Sequence, residues 1–75
     1  MNKMRRAAIK RIVDKLEALS DELEGLRSDE EDYVNNTPEN FQANERYETA
    51  EEAVDAMENA IGSIDEARET LEGIL

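Results

Sequence analysis

The chain contains no cysteine and no histidine, and only one proline, three glycines and three aromatic residues among its 75 positions. Each shortage excludes something. Without cysteine there is neither a disulfide nor a thiolate metal site to staple the fold, and a reducing compartment is allowed. Without histidine the commonest general base is missing, and so is the carboxylate–histidine pattern of di-iron helical bundles. No glycine-rich phosphate loop, serine-centred elbow or calcium loop with its central glycine occurs. No apolar run approaches the roughly 18 residues that a membrane span requires. The start, Met1-Asn2-Lys3-Met4-Arg5-Arg6, is basic in the manner of a signal peptide, but Lys10 and Arg11 interrupt the apolar stretch that should follow. These absences predict a cytoplasmic, non-enzymatic protein with no cofactor, no metal, no catalytic residue and no membrane partner.

What remains is 39% charged and 39% apolar residues. That mixture is too apolar for a disordered chain and too poor in aromatic and β-branched residues for a sheet. Ala, Glu, Leu, Ile, Arg and Lys dominate, the palette of long helices. At this length the chain forms a single domain, residues 1–75, whose core is barely sufficient. The net charge of −11 is uneven. Residues 1–15 carry Lys3, Arg5, Arg6, Lys10, Arg11 and Lys15 against Asp14 alone, whereas the remainder has three cations, Arg27, Arg46 and Arg68, and all the other acids. Nucleic acid is repelled everywhere except at the basic start, so direct DNA binding is not expected.

The apolar pattern predicts an all-α antiparallel hairpin. Ile9, Ile12, Leu16, Leu19, Leu23 and Leu26 alternate spacings of three and four, an unbroken heptad seam, with Met4, Ala8 and Val13 widening it. A helix over about 3–32 follows, in which a close helix crossing would explain Gly25. Residues 33–44 form the turn: Tyr33-Val34-Asn35-Asn36-Thr37-Pro38 breaks the pattern, and Thr37 as N-cap before Pro38 begins a short turn through Phe41. The second helix, about 45–74, starts at Pro38 or at Asn44. Its seam runs Tyr47, Ala50, Val54, Met57, Ile61, Ile64, Arg68 (in place of an apolar residue), Leu71 and Leu75. Gly62-Ser63 softens its middle. Beside the seam Ala53, Ala60, Ala67 and Ile74 recur at seven-residue intervals, a column that lets another backbone approach closely. A lone hairpin leaves such flanks wet, so self-association into a four-helix bundle or a larger oligomer is expected, with Ala53, Met57, Ala60, Ile61, Ala67 and Ile74 at the interface.

Three constellations could carry function. The acidic face of the second helix, with Glu48, Glu51, Glu52 and Asp55, is either a solvated surface or an imitation of the phosphate ladder of a duplex that occupies a DNA-binding protein. The basic start either complements the acidic end of the second helix or binds a phosphate-bearing ligand through Arg5 and Arg6. The turn gathers Tyr33, Phe41 and Tyr47 among Asn35, Asn36, Asn40, Gln42, Asn44 and Arg46. These residues form either a small hydrophobic cap or a pocket for a nucleotide base, with Arg46 for its phosphate. In an oligomer, the turn of one hairpin could meet the basic start of another and complete that pocket.

The segment Pro38-Glu39-Asn40-Phe41-Gln42, followed by Glu45-Arg46-Tyr47-Glu48 and the acidic Ala/Ile/Leu repeats, resembles a group of small phage and prophage proteins of Gram-positive bacteria. Those proteins likewise begin with a basic stretch, pass through a Pro-Glu-Asn/Ser turn and end in an acidic helix. The resemblance spans nearly the whole chain. It implies an accessory protein in the cytoplasm of an infected or lysogenic bacterial host, acting by binding. It further implies counter-defence: inhibition of a host defence protein, or sequestration of a nucleotide signal, such as a cyclic nucleotide, between protomers. A purely structural oligomerisation module is the third alternative.

Overall fold

The computed structural model describes all 75 residues as a helical hairpin: α1 (Lys3–Asn35), one 3-10 turn (Glu39–Phe41) and α2 (Glu45–Glu72). The two helices pack antiparallel into a rod of 59 × 14 × 14 Å with no strand. Neither is long and apolar enough to cross a membrane.

Local chemistry sets the helix ends. The Asn2 side chain accepts a hydrogen bond from the Arg5 backbone N–H at 2.8 Å, satisfying one of the orphan donors of the first turn of α1. Asn44 does the same for α2, accepting from the Arg46 N–H at 2.7 Å. The second helix thus starts after Asn44, not at Pro38, which stands in extended backbone ahead of the 3-10 turn. Thr37 does not cap that turn, contrary to the sequence expectation. Its hydroxyl donates backwards to the Tyr33 carbonyl at 2.7 Å, occupying an acceptor that α1 leaves free at its end. With that closure α1 runs one turn further than the Asn-rich composition suggests, to Asn35.

The seam on α2 lies where its apolar spacing places it. Ala50 and Val54 are buried, and Tyr47, Met57, Ile61, Ile64, Arg68 and Leu71 are half-buried along the same line, while Leu75 at the chain end is exposed. On α1 the expected seam is half corrected. Ile9, Leu16 and Leu23 turn toward α2, but Ile12, Leu19 and Leu26 are 47%, 53% and 55% exposed. Val13, Ser20, Arg27 and Val34 take their place, again one heptad apart. Ser20 donates to the Asp65 carboxylate at 2.8 Å, and the Arg27 guanidinium lies 3.7 Å from Glu58, so the polar pair answers two carboxylates that α2 carries beside its own seam. Leucines at those positions would remove both cross-helix polar contacts.

The resulting core is thin. Val13, Ala50 and Val54 are the only buried apolar residues, with Ser20 as the one buried polar residue. Arg68 interrupts the seam on α2; its Nη1 reaches Glu72 at 3.3 Å, but its buried Nε has no partner. The glycines do not mark close approaches within the protomer: a Cβ at Gly25 or Gly62 would meet nothing within 4 Å, and α2 passes through Gly62-Ser63 without a break.

Two stability predictions follow from this geometry. Gly25→Ala and Gly62→Ala should each stabilise the hairpin by about 1 kcal/mol through helix propensity alone. Arg68→Leu should raise stability by about 1–2 kcal/mol by removing an unpartnered buried donor and closing the apolar seam. Thermal melts followed by circular dichroism would then shift upward by about 4–8 °C per kcal/mol.

Candidate functional site

Antiparallel heptads give the rod two long faces of opposite character, one on each side of the seam. On the first, α1 contributes Lys10, Glu17, Glu24 and Glu31, and α2 contributes Glu51, Glu58, Asp65 and Glu72, each set spaced by seven residues. Seven of these eight side chains are carboxylates. Arg27, at the edge of the seam, is the organising cation: it binds Glu24 at 2.6 Å, contacts Glu31 more closely still and approaches Glu58 across the interface. The hydrogen bond to Arg27 holds the Glu24 carboxyl below its ordinary value of 4.5, and Glu24 and Glu31 in turn raise the guanidinium above its own. At the other end, Lys10 is held above its ordinary value by its hydrogen bond to Asp14 at 3.0 Å, with further help from Glu72 and Glu17. The expected acidic surface is divided here. Glu51 and Asp55 line a shallow groove with Glu31, Val34, Asn35, Val54 and Glu58, whereas Glu48 and Glu52 are exposed on the outer side of α2.

On the second face, α1 carries Ile12, Leu19, Leu26 and Tyr33, and α2 carries Ala53, Ala60 and Ala67, with Ile74 just past its end. Tyr33 and Ala53 line one groove of about 630 Å³, with Glu30, Glu45, Arg46, Thr49 and Ala50. Counting heptads from that shared groove, the register sets Leu26 level with Ala60, Leu19 with Ala67, and Ile12 with Ile74. Large side chains on α1 thus stand beside small ones at three of the four levels, while Ile12 and Ile74 are both large. Ala53 and Ala60 are half-buried, and Ala67 and Ile74 are exposed. Met57 and Ile61, also expected at an oligomer interface, lie half-buried in the seam of the hairpin itself.

The turn brings together four of the six residues singled out for a ligand. Tyr33, Phe41, Arg46 and Tyr47 surround a cavity of about 310 Å³ with Asn36, Thr37, Pro38 and Asn44. Asn44 is already engaged in capping α2, and Thr37 in closing α1. Arg46 is the only cation among the lining residues. Arg5 and Arg6 stand at the other end of the rod: 27 residues of helix separate Arg6 from Tyr33, about 40 Å at 1.5 Å per residue. One protomer therefore does not unite the expected set. Arg6 instead shares a shallow depression with Lys3, Ala7, Lys10 and the chain-terminal Leu75.

The cross-helix contacts of Ser20 with Asp65 and of Arg27 with Glu58 escaped the sequence reading, which set Asp65 against the basic start instead. The usable signal was the column Val13, Ser20, Arg27, Val34, whose heptad spacing is as regular as the leucine column but less apolar. No group of three or more His, Cys, Asp or Glu side chains converges to hold a metal ion. No protein-family model, no curated protein and no solved structure matches the chain.

The Arg27 cluster predicts a pH signature. Because the folded state lowers the Glu24 pKa, its contribution is fully present above about 4.5 and is lost as pH falls below that value. Glu24→Gln should therefore lower the melting temperature at pH 7 and have no effect on it near pH 3. Equal effects at both pH values would contradict the assignment.

Proposed function

We propose that the protein is a non-enzymatic binding protein that occupies a basic surface of another protein with its carboxylate face. The observation that carries this reading is the segregation of charge: seven carboxylates share one side of the seam, while the columns on the other side contain none. Successive carboxylates in a column are spaced by about 10 Å, one heptad of helix, comparable to the Debye length at physiological ionic strength. Such a face attracts a basic groove over its whole length, and its binding is salt-sensitive. It is sparser than a nucleic acid. Eleven net charges over a 59 Å rod come to about one per 5 Å, against one per 1.7 Å along a DNA duplex. A protein groove is therefore a better match than a site shaped for DNA.

The resemblance of the turn and the acidic helix to small phage proteins gives this binding a setting, namely inhibition of a host defence protein inside an infected or lysogenic bacterium. The second reading, sequestration of a nucleotide, is supported by the aromatic cavity at the turn, where Tyr33, Phe41 and Tyr47 could stack a base beside Arg46. A single cation and two polar neighbours already committed to capping make it the weaker one.

Three chains separate the readings: the natural sequence; a neutralised variant with Glu31→Gln, Glu51→Gln, Asp55→Asn and Glu58→Gln; and a charge-reversed variant with Arg5→Glu, Arg6→Glu and Arg46→Glu. The neutralised chain should lose both the phenotype in the host and the protein partner recovered with the natural chain, while the reversed chain should keep both. A melting temperature that rises with a linear or cyclic nucleotide, and no longer does so after Arg46→Glu, would overturn this reading in favour of sequestration.

A further inference from the structure

Ile12, Leu19, Leu26 and Tyr33 are each about half exposed, and no element of the hairpin is placed to cover them. We infer that a second copy of this chain does so. The two hairpins lie face to face about a twofold axis parallel to the helices, and the large column on α1 of each protomer seats on the small column on α2 of the other.

Charge selects the face. The two columns with their basic ends, Arg5 and Arg46, make up ten positions without one carboxylate, in a chain where 20 of 75 residues are acidic. The opposite face would bring seven carboxylates against seven. Area permits the contact: a face of 59 × 14 Å spans roughly 800 Å², so two such faces bury about 1,600 Å² together, the usual size of a stable interface.

Side-chain size selects the axis. A rotation about an axis parallel to the helices keeps every residue at its own height along the rod. Leu26 of one protomer therefore arrives at the height of its own Ala60, and meets the other protomer's Ala60 there. The same holds for Leu19 with Ala67 and Tyr33 with Ala53, while Ile12 meets Ile74. Knobs and holes match with no register left to adjust, every neighbouring pair of helices is antiparallel, and the contact closes on itself. An axis perpendicular to the helices would instead set α1 on α1 and α2 on α2, large against large and small against small, leaving a gap along α2. The border of the contact agrees with the first choice. Beyond its small column α2 offers Thr49, Ala56, Ser63 and Thr70, all uncharged, to the side where α1 carries the charged Lys15, Glu22 and Asp29. The pairing stands independently of the binding reading above, and it leaves both carboxylate faces pointing outward on opposite sides of a four-helix bundle.

The absence of native cysteine makes the arrangement directly testable. Leu26→Cys protomers mixed with Ala60→Cys protomers and mildly oxidised should yield a disulfide-linked pair, whereas Leu26→Cys mixed with Leu19→Cys should not. The opposite pattern, or linkage in neither mixture, would overturn the arrangement. A second measurement does not depend on any one variant. Ala60→Leu alone should raise the dimer dissociation constant about tenfold or more by overpacking. Adding Leu26→Ala, which exchanges knob for hole, should bring it back to within a few-fold of the natural value. Failure of the exchange to rescue, or a natural chain that stays monomeric at micromolar concentration, would equally contradict the inference.

Discussion

A two-helix hairpin has one seam, and everything else in this molecule depends on which column of α1 is turned into it. Two columns share the partners Ile9, Leu16 and Leu23: the more apolar Ile12, Leu19, Leu26 and the more polar Val13, Ser20, Arg27, Val34. The polar column goes inside. Taken alone, that is the worse choice for hydrophobic burial, because a fully buried large side chain is worth about 1.5–3 kcal/mol over an exposed one. It is favoured by what α2 brings to the interface. Ser20 donates to Asp65 at 2.8 Å, and Arg27 stands 3.7 Å from the half-exposed Glu58 as an ion pair. The deferred apolar burial then becomes available to a second chain. A thin core of three buried apolar residues is what such a division leaves in each protomer.

The same choice separates the faces. Once Ser20 and Arg27 are inside, the residues one position before them, Leu19 and Leu26, fall on the side of the alanine column, and Glu24 and Glu31 fall on the side of Glu58 and Asp65. One rotation of α1 about its axis thus produces an apolar face and a carboxylate face together. In the paired assembly the apolar faces disappear inside a bundle and the carboxylate faces become its two outer walls. The turn and the basic start lie at opposite ends of each rod, so pairing about a long axis joins turn with turn and start with start. In that arrangement Arg5 and Arg6 stay apart from the turn aromatics.

Much of this was legible in the sequence. The hairpin and the seam on α2 are written in seven-residue spacings that hold for apolar residues whatever their neighbours. So is the clustering of Tyr33, Phe41, Arg46 and Tyr47 at the turn, because a short connection cannot carry them apart. The rotation of α1 was not legible from hydrophobicity, since the column that faces α2 is the less apolar one and makes cross-helix polar contacts with partners 31 and 45 residues away, for Arg27 and Ser20 respectively. Thr37 misled for a related reason. Its hydroxyl can serve either the helix behind it or the turn ahead, and only the geometry at Tyr33 decides between them.

Small-angle X-ray scattering of the unmodified chain tests the central claim most directly, because mass and length are read from one curve. Side-by-side pairing through the apolar face predicts a particle with the mass of two 8.5 kDa chains and a longest dimension still close to 59 Å. A particle of one chain's mass, or of two chains joined end to end at about twice that length, would show that the exposed leucine column is not where the molecule meets its copy.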